Sequence, residues 1–410
     1  ARARFLPTID LQLRYSRADG GREIEFPVGD LLNPVYSSLN SLLAAAGQPA
    51  PFTPVANQSF RLLREREQDS LLRVSQPLYD ARLGAARRQA AHGYDAARFG
   101  LEVYRLRLAR DVRQAYYRWL ASQESIGILA ATLELARENE RVNESLHRNG
   151  KVTRDLVLRA EAERLEVEQQ LIRVRATELL ARRYVNLLCN APLERELAAA
   201  TVSDADVPRL AARIPRPSAA ASLESAAIGR RAELRQLEAG VAAAGESERV
   251  AEAAFRPRLA LALDAGTQGS DWNYGDQDPY VLASVIVRFN LWNGGADRAS
   301  LREARARSAE LEAGRALAEQ QIRIEVQEAL SDLEVAEASL ATARRRADAA
   351  SAAFTIVSRK RDLGQVPPAE YLDAQRALTQ ARQNGNITRY EALAALAQVE
   401  YAIGGVEQQP

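Results

Sequence analysis

Two long tracts without proline most constrain what this chain can fold into. No proline lies between Pro77 and Pro192, or between Pro279 and Pro367, and a proline inside a helix costs about 3 kcal/mol. Both tracts are rich in Ala, Leu, Arg, Glu and Gln, which favour helices. A helix over residues 80–149 would span roughly 105 Å at 1.5 Å per residue, which no compact domain of this size needs. The tracts therefore predict two very long helices, each followed by a return helix.

Apolar residues in the first tract recur at the spacing of a coiled-coil seam. They step by three, four and seven in the long helix and by seven in the return segment, which is typical of a narrow seam rather than the broad face of a globular-domain helix. The residues are Val112, Tyr116, Trp119, Ile126, Leu129, Leu133 and Ala136, followed by Leu158, Leu165, Ile172 and Leu179 in the return segment. We expect these positions to pack against neighbouring helices.

The second tract repeats the first at a shift of 214 residues. The repeat keeps the seam in register, which indicates an internal duplication. The matching pairs are Val112 with Val326, Tyr116 with Leu330, Trp119 with Leu333, Ile126 with Leu340, Gly150 with Gly364, and Ala160 with Ala374. Residues 74–80 resemble residues 287–293 at a shift of 213, and residues 5–11 resemble residues 255–261 at a shift of 250. The first copy therefore contains an additional loop.

The segments ahead of each long helix have the period of two expected of β-strands. Ile9, Leu11, Leu13 and Tyr15 alternate with polar residues, and residues 281–291 alternate less cleanly. The predicted segments are a first strand pair with a long loop (1–80), the first long helix and return helix (81–191), a crossing segment and lead-in helix (192–256), a second strand pair (257–293), the second long helix and return helix (294–405), and a tail (406–410). Because the first copy should also have a lead-in helix, we expect a helical segment ahead of Ala1.

Charge and composition argue against several classes of function. The 55 basic and 54 acidic side chains give a net charge of +1, which does not favour a nucleic-acid partner. One cysteine and two histidines cannot form an intramolecular disulfide or a cysteine/histidine metal cluster. The chain has neither a nucleotide-binding glycine loop nor a nucleophile elbow. We therefore predict a protein that is not an enzyme and that binds no cofactor or metal.

The four predicted strands permit two interpretations. They could form a small soluble sheet with one buried face, which the alternation alone favours. They could instead cross a bilayer within a β-barrel, since strands of about 10 residues with one apolar face have the required length. Four strands cannot close a barrel, for which about eight is the practical minimum, so other chains would have to complete it. The coupling of these strands to helical hairpins of such length favours the membrane interpretation.

The junction sequences QPLYD (76–80) and FNLWNGG (289–295), with the duplicated plan of strand pair and helical hairpin, resemble the TolC family of outer-membrane efflux channels. The paired turns 149–153 and 363–368 add to this resemblance, which covers Phe5 to Gly405. It implies a mainly α fold with a small β part. Duplicated helical hairpins would form an α-barrel, and each protomer of a homotrimer would contribute four strands to a 12-stranded transmembrane β-barrel, with the loop of residues 1–80 on the extracellular side.

The same resemblance implies a protein of the bacterial outer membrane that extends into the periplasm. Its expected partners are outer-membrane lipid, a periplasmic adaptor (membrane fusion) protein and an inner-membrane pump. The predicted function is an exit duct that passively conducts small molecules, such as drugs or other toxic compounds, from the periplasm to the exterior as part of a tripartite efflux pump. A type I secretion outlet for polypeptides and a periplasmic coiled-coil scaffold or adaptor are alternatives.

Candidate site residues lie at the two hairpin tips. Glu370 and Asp373 are three residues apart and share a helix face; the resemblance implies a pore-lining acidic ring there, which would favour cations. In the first copy Leu156 occupies the position aligned with Glu370, and Asp155 lies one residue earlier. We expect Arg154, Asp155 and Arg361 to form inter-helix ion pairs that keep the gate shut. The resemblance implies adaptor docking at Gly150, Lys151, Val152 and Thr153 and at Gly364, Gln365, Val366 and Pro367. A solvated helix face and ordinary turns are the alternatives.

Overall fold

A computed structural model describes residues 2–214, 220–270 and 279–405, which are mainly helical with two antiparallel sheets. The strands are β1 (Thr8–Arg17), β2 (Glu23–Phe26), β3 (Gln58–Arg61), β4 (Arg66–Tyr79), β5 (Arg258–Gly269) and β6 (Pro279–Arg288). The helices are α1 (Val28–Ala45), α2 (Ala81–Arg148), α3 (Arg154–Leu188), α4 (Asp206–Ala211), α5 (Ala220–Arg230), α6 (Ala232–Glu252), α7 (Ala296–Asp362) and α8 (Pro368–Ala402).

The chain divides into two compact units. The first comprises Ala1–Ala90 and Gly245–Ala306, and the second comprises Ala91–Ala244 and Arg307–Pro410. The first unit holds all six strands and α1. The second unit holds both helical hairpin turns, and α2, α6 and α7 contribute residues to both units.

The main sheet of the first unit joins the two copies of the repeat. Its strand order is β1-β4-β5-β6, and every neighbouring pair is antiparallel. The predicted strand pairs β1–β4 and β5–β6 both form, and β4 pairs with β5 between the copies. The pairing shifts between Pro77 and Tyr79, as expected where proline offers no N–H to the ladder. Strands β1 and β6 are the outer strands, so each has one edge without a partner in this sheet.

The two faces of the main sheet differ in chemistry. One face carries large exposed apolar side chains from all four strands: Ile9, Leu11, Leu13 and Tyr15 of β1, Leu72 of β4, Leu261 and Leu263 of β5, and Val281, Val285 and Val287 of β6. On the other face Asp10, Arg73 and Asp264 align across three strands. Arg73 donates two hydrogen bonds to Asp264, from Nε and Nη2, both at 2.7 Å. The alternation in the sequence thus predicts the apolar face correctly.

The segment between β1 and β4 is more ordered than the predicted loop. It contains the 18-residue helix α1 and the β2–β3 pair, which forms a separate two-stranded sheet. Neither element was predicted from the sequence. The crossing segment contains the short helix α4, and the lead-in helix is interrupted at Arg231, which divides it into α5 and α6. The buried Arg231 side chain forms salt bridges with Glu233 and Glu325, which holds the chain at this break.

The second unit has a core along the seams of its long helices. Trp119, Leu129, Leu133 and Ala136 of α2 are buried, as the seam predicts. The α3 seam differs from the prediction, because Leu158, Leu165 and Ile172 are 51%, 49% and 63% exposed. The residues of α3 that face the core are instead Ala160, Glu163, Val167 and Leu171. Helix α3 therefore has an inner seam within the chain and an outer apolar seam that the chain leaves uncovered.

Candidate functional site: the helical hairpin tips

The first hairpin tip turns at Gly150, whose φ is +68°. The N–H of Gly150 donates to the carbonyl of His147 at 2.9 Å, and the N–H of Lys151 donates to the carbonyl of Leu146 at 2.9 Å. These two bonds form a Schellman motif, which caps the last carbonyls of α2 and requires a left-handed residue. A Cβ at Gly150 would meet nothing within 4 Å. Glycine is therefore favoured here by backbone conformation and not by crowding.

The second tip repeats this geometry bond for bond. Gly364 has a φ of +71° and donates to Arg361 at 2.8 Å, while the N–H of Gln365 donates to Lys360 at 2.8 Å. Each donor and acceptor is displaced by 214 residues from its counterpart in the first tip. The duplication read from the sequence is thus preserved at the level of single hydrogen bonds.

The residues predicted to dock an adaptor form the outer surface of these turns. Gly150, Lys151 and Thr153 are exposed at the first tip, and Gly364, Gln365 and Pro367 are exposed at the second. Val152 and Val366 are half-buried. Thr153 and Pro367 cap α3 and α8 with extended backbone, at ψ of 158° and 144°. Each tip therefore presents a few small or flexible groups on a rigidly capped turn.

Both predicted acidic residues lie in the first two turns of α8 and are exposed. Within the part of the chain that the structure describes, neither Glu370 nor Asp373 has a side-chain hydrogen bond or a salt bridge. Asp373 also lines a cavity of about 360 Å³ formed by α2, α3 and α8. The cavity is bounded by Asn139, Asn143, Leu156, Arg159, Ala162, Pro368, Ala369, Leu372, Asp373 and Arg376. The two carboxylates are thus free to face solvent or another chain.

Arg376, which the sequence analysis did not single out, links α8 to α3. Its Nε donates to Oε2 of Glu163 at 2.7 Å, and its Nη2 donates to the same oxygen. The Glu163 side chain is only 5% exposed, whereas that of Arg376 is 55% exposed. The hydrogen bonds to Glu163 raise the pKa of Arg376, and nearby Asp373 contributes to the shift. This pair places a positive charge beside the predicted acidic positions.

The three predicted gate residues do not pair with one another within the described chain. Asp155 accepts a hydrogen bond from the Thr153 hydroxyl and lies 3.8 Å from Arg159 on its own helix. Arg361 donates to the adjacent Asp362 at 3.1 Å. Arg154 is exposed and has no side-chain partner among the described residues. Their role in gating stays a prediction.

Arg361 instead connects α7 to α8 through an aromatic ring. Its guanidinium carbon lies 3.9 Å from the ring centroid of Tyr371, within the range of a cation–π contact. Tyr371 is buried and its ring centroid lies 5.5 Å from that of Phe354. Burial raises the pKa of the Tyr371 hydroxyl, and the Arg361 charge partly opposes this shift. The second tip therefore has a cation–π contact between its two helices. The aligned positions of the first tip are His147 and Val157, and valine has no aromatic ring for such a contact.

Across the described ranges, no group of three or more His, Cys, Asp or Glu side chains is arranged to hold a metal ion. No helix within the part of the chain that the structure describes is both long and apolar enough to cross a membrane.

Comparison with protein families gives a match over most of this architecture. The model of the outer membrane efflux protein family matches residues 59–188 and 223–405. A curated relative, the pyoverdine export outer membrane protein OpmQ of Pseudomonas putida, is 26% identical over 339 residues. The aligned region covers 79% of this chain and 67% of OpmQ. Residues 1–58, which include β1 and α1, lie outside the family match.

Solved channel structures share the fold at low sequence identity. The outer membrane protein VceC of Vibrio cholerae superimposes with a TM-score of 0.75 at 16% identity, covering 98% of this chain and 88% of VceC. The open state of the outer membrane channel MtrE of Neisseria gonorrhoeae gives a TM-score of 0.74 at 18% identity, covering 98% of this chain and 82% of MtrE. The family model matches well over half of the residues of this chain. The chain therefore belongs to the outer membrane efflux protein family, whose channels lie in the bacterial outer membrane and extend into the periplasm.

Proposed function

We propose that the protein is the exit duct of a tripartite efflux pump and that it passively conducts small molecules from the periplasm to the exterior. The observation that carries this proposal is the four-stranded sheet with an exposed apolar face, whose outer strands β1 and β6 each have one edge without a partner in the sheet. Open strand edges are not tolerated in a bilayer. Pairing β1 of one protomer with β6 of the next would remove them, and three protomers would give a closed barrel of 12 strands.

The helical unit supports the same assembly. The outer seam of α3, formed by Leu158, Leu165 and Ile172, repeats every seven residues and is exposed. Helix α7 also exposes Leu317 and Ile324, seven residues apart. Seams of this period pack against other helices, so neighbouring protomers would cover them. A homotrimer would thereby enclose a helical tunnel.

We assign the gate of this tunnel to the second hairpin tip. Three copies of Glu370 and Asp373 would bring six carboxylates to the constriction, where a ring of negative charge favours cations. Both side chains are exposed and unpaired among the described residues, which suits a pore-lining position. Arg154, Asp155 and Arg361 are proposed to contribute to the closed state, Arg361 through its contact with Tyr371.

The partner assignments follow from the family and from the tips. The exposed turns at Gly150 and Gly364 are proposed to dock a periplasmic adaptor protein, which connects the duct to an inner-membrane pump that supplies the energy. The relative named for pyoverdine export supports a small-molecule cargo. The channel family and fold argue against the alternative of a scaffold or adaptor.

Single-channel conductance in a planar bilayer tests this function. Wild-type protein is expected to give discrete, cation-selective steps that an added trivalent cation blocks. The variant Glu370→Ala/Asp373→Ala is expected to conduct with weaker block and lower cation selectivity. The control variant Asp332→Ala/Glu334→Ala removes the same charge from exposed positions of α7 and should behave as wild type.

Two outcomes would contradict the proposal at different levels. If folded, detergent-purified protein never inserts or conducts, the channel function is wrong. If both double variants lose block to the same extent, the protein is a channel but its acidic ring does not lie at Glu370 and Asp373.

A further inference from the structure

The chain between β1 and β4 forms a small folded insert that is held together by asparagine side chains. Asn33 Nδ2 donates to the carbonyl of Val55 at 2.9 Å, and Asn33 Oδ1 accepts from the N–H of Val55 at 2.8 Å. Asn40 makes the same two-point contact with Phe52, at 2.6 and 3.2 Å. Because Asn33 and Asn40 are seven residues apart, both lie on one face of α1. That face is therefore hydrogen-bonded to the segment of residues 52–55, which follows α1.

The first turn of α1 is fixed as well. Asn57 Oδ1 accepts from the N–H of Asp30 at 3.1 Å, and Asn57 Nδ2 donates to the Asp30 carboxylate at 3.0 Å. A Cβ at Gly29 would lie 2.4 Å from the carbonyl of Val55, so only glycine allows this close approach. Helix α1 is thus attached from its first turn to Asn40 and presents a defined outer surface.

That outer surface includes an apolar face that the chain does not cover. Leu31, Val35, Leu39 and Leu42 follow one another at steps of four, four and three, and all are exposed, Val35 by 53%. Leu32 flanks them and is also exposed. The antiparallel β2–β3 pair adds an exposed apolar face of its own, formed by Ile24, Phe26 and Phe60. Exposed apolar side chains gathered on one face of a helix mark an interaction surface.

The charge of α1 and the segment that follows it argues against a lipid surface as the occupant. Between Pro27 and Asn57 the only charged residue is Asp30. Amphipathic helices that lie on membranes carry Lys and Arg on their polar face, whereas the other faces of α1 carry Asn, Ser, Tyr and Ala. A helix with no positive charge and an apolar face suits burial against an uncharged protein surface.

The position of the insert identifies that protein surface. The insert leaves the sheet at the end of β1, which is an outer strand with an unpaired edge. In the homotrimer proposed above, that edge pairs with β6 of the next protomer, so a neighbouring copy lies beside the insert. We propose that the apolar face of α1 packs against a second copy of this chain at the loop end of the barrel. This inference rests on the proposed homotrimer.

Cysteine labelling tests the contact directly. The native cysteine, Cys189, is exposed and is first replaced by Cys189→Ser. Val35→Cys and the matched control Ser41→Cys, an exposed position on a different face of α1, are then treated with a polyethylene-glycol maleimide. In the detergent-purified trimer, Val35→Cys is expected to react at least about tenfold more slowly than Ser41→Cys, because labelling requires the contact to open. After heat dissociation into monomers, the two rates should become similar.

Three results would overturn the inference. Fast labelling of Val35→Cys in a demonstrated trimer would show that the face is free, and would leave the proposed function intact. Protection that arises only in vesicles of phosphatidylethanolamine and phosphatidylglycerol, and not in the detergent trimer, would identify lipid as the occupant. A chain that is folded but monomeric by light scattering would contradict the homotrimer and this contact together.

A charge variant gives an independent measure. Val35→Glu places a carboxylate in the proposed contact and is expected to lower the temperature at which the trimer dissociates on a semi-native gel. Ser41→Glu adds the same charge outside the contact and should leave that temperature unchanged. Equal shifts for the two variants would contradict the inference.

Discussion

The ion pair between Glu163 and Arg376 gives the sharpest test of how the return helices are held together. It joins α3 to α8, and both hydrogen bonds end on one carboxylate oxygen. The two side chains differ strongly in exposure, at 5% for Glu163 and 55% for Arg376. Removing either partner should therefore have very different consequences for the free energy of unfolding.

Arg376→Ala leaves the buried carboxylate of Glu163 without its two donors. Breaking a fully buried pair in this way costs about 3–5 kcal/mol. Because Arg376 is half exposed, its removal admits some water to the carboxylate, so we expect a loss of about 2–3 kcal/mol. Glu163→Gln removes the buried charge and leaves a guanidinium that solvent can reach. We expect it to cost at most about 1 kcal/mol.

Urea unfolding in detergent, followed by circular dichroism at 222 nm, measures both values. Arg137→Ala is the control, since Arg137 and its partner Glu134 are both largely exposed and such pairs contribute little. A Glu163→Gln loss as large as that of Arg376→Ala would refute the reasoning from exposure. An Arg376→Ala variant as stable as the control would show that the pair does not hold α3 to α8.

Two further predictions concern pH and the hairpin turns. Burial, reinforced by nearby Glu124, raises the pKa of Tyr390 to about 12, so the folded state keeps this proton longer than the unfolded state does, and stability should fall by roughly 2–3 kcal/mol as pH rises from about 10 to about 12. Tyr390→Phe should reduce that fall in the same unfolding assay; an unchanged pH profile would contradict the assignment. Gly150→Ala and Gly364→Ala should each destabilise by about 1 kcal/mol, because both glycines are left-handed. The control Gly127→Ala, inside α2 with open space around it, should instead stabilise by up to about 1 kcal/mol, and a uniform sign for all three variants would contradict the argument from backbone conformation.

The long helices could be predicted because their signals are local. The absence of proline and the composition of strong helix formers predicted a helix over residues 80–149, and α2 runs from Ala81 to Arg148. The glycines at positions 150 and 364 predicted both turns, since a Schellman motif depends on one residue type at one place. The duplication predicted that the second tip has the same turn as the first, because it aligns Gly364 with Gly150.

The insert could not be predicted because long-range contacts hold it. Five prolines and many small polar residues between β1 and β4 favoured an irregular loop. Leu31, Val35 and Leu39 recur every four residues, which favours a helix, but the prolines and small polar residues around them favoured a loop. The contacts from Asn33 to Val55 and from Asn40 to Phe52 join residues with no recognisable spacing. Hydrogen bonds of this kind, between residues far apart in the sequence, can be recognised only in the folded structure.

At the candidate site the sequence identified the tips but not the contacts behind them. Glu370 and Asp373 are exposed as a pore-lining position requires, and their function stays a prediction. The link from Arg376 to Glu163 had no signal, since a glutamate among many charged residues of a helix gives no indication that it is buried. The contact of Arg361 with Tyr371 replaces the ion pair expected of that arginine.

The α3 seam predicted from the sequence is not the seam that packs within the chain. The predicted seam of Leu158, Leu165, Ile172 and Leu179 is an apolar heptad pattern whose first three residues are exposed. The seam that packs within the chain includes the charged Glu163. The contact of α2 with α8 includes a polar pair, since Thr132 Oγ1 lies 3.1 Å from Thr379 Oγ1, besides a buried apolar cluster that contains Trp119 and Leu393. The apolar outer seam contributes hydrophobic stabilisation only when another helix covers it. Assembly would therefore add hydrophobic stabilisation to that of the inner core, and variants of the outer seam should weaken trimer formation.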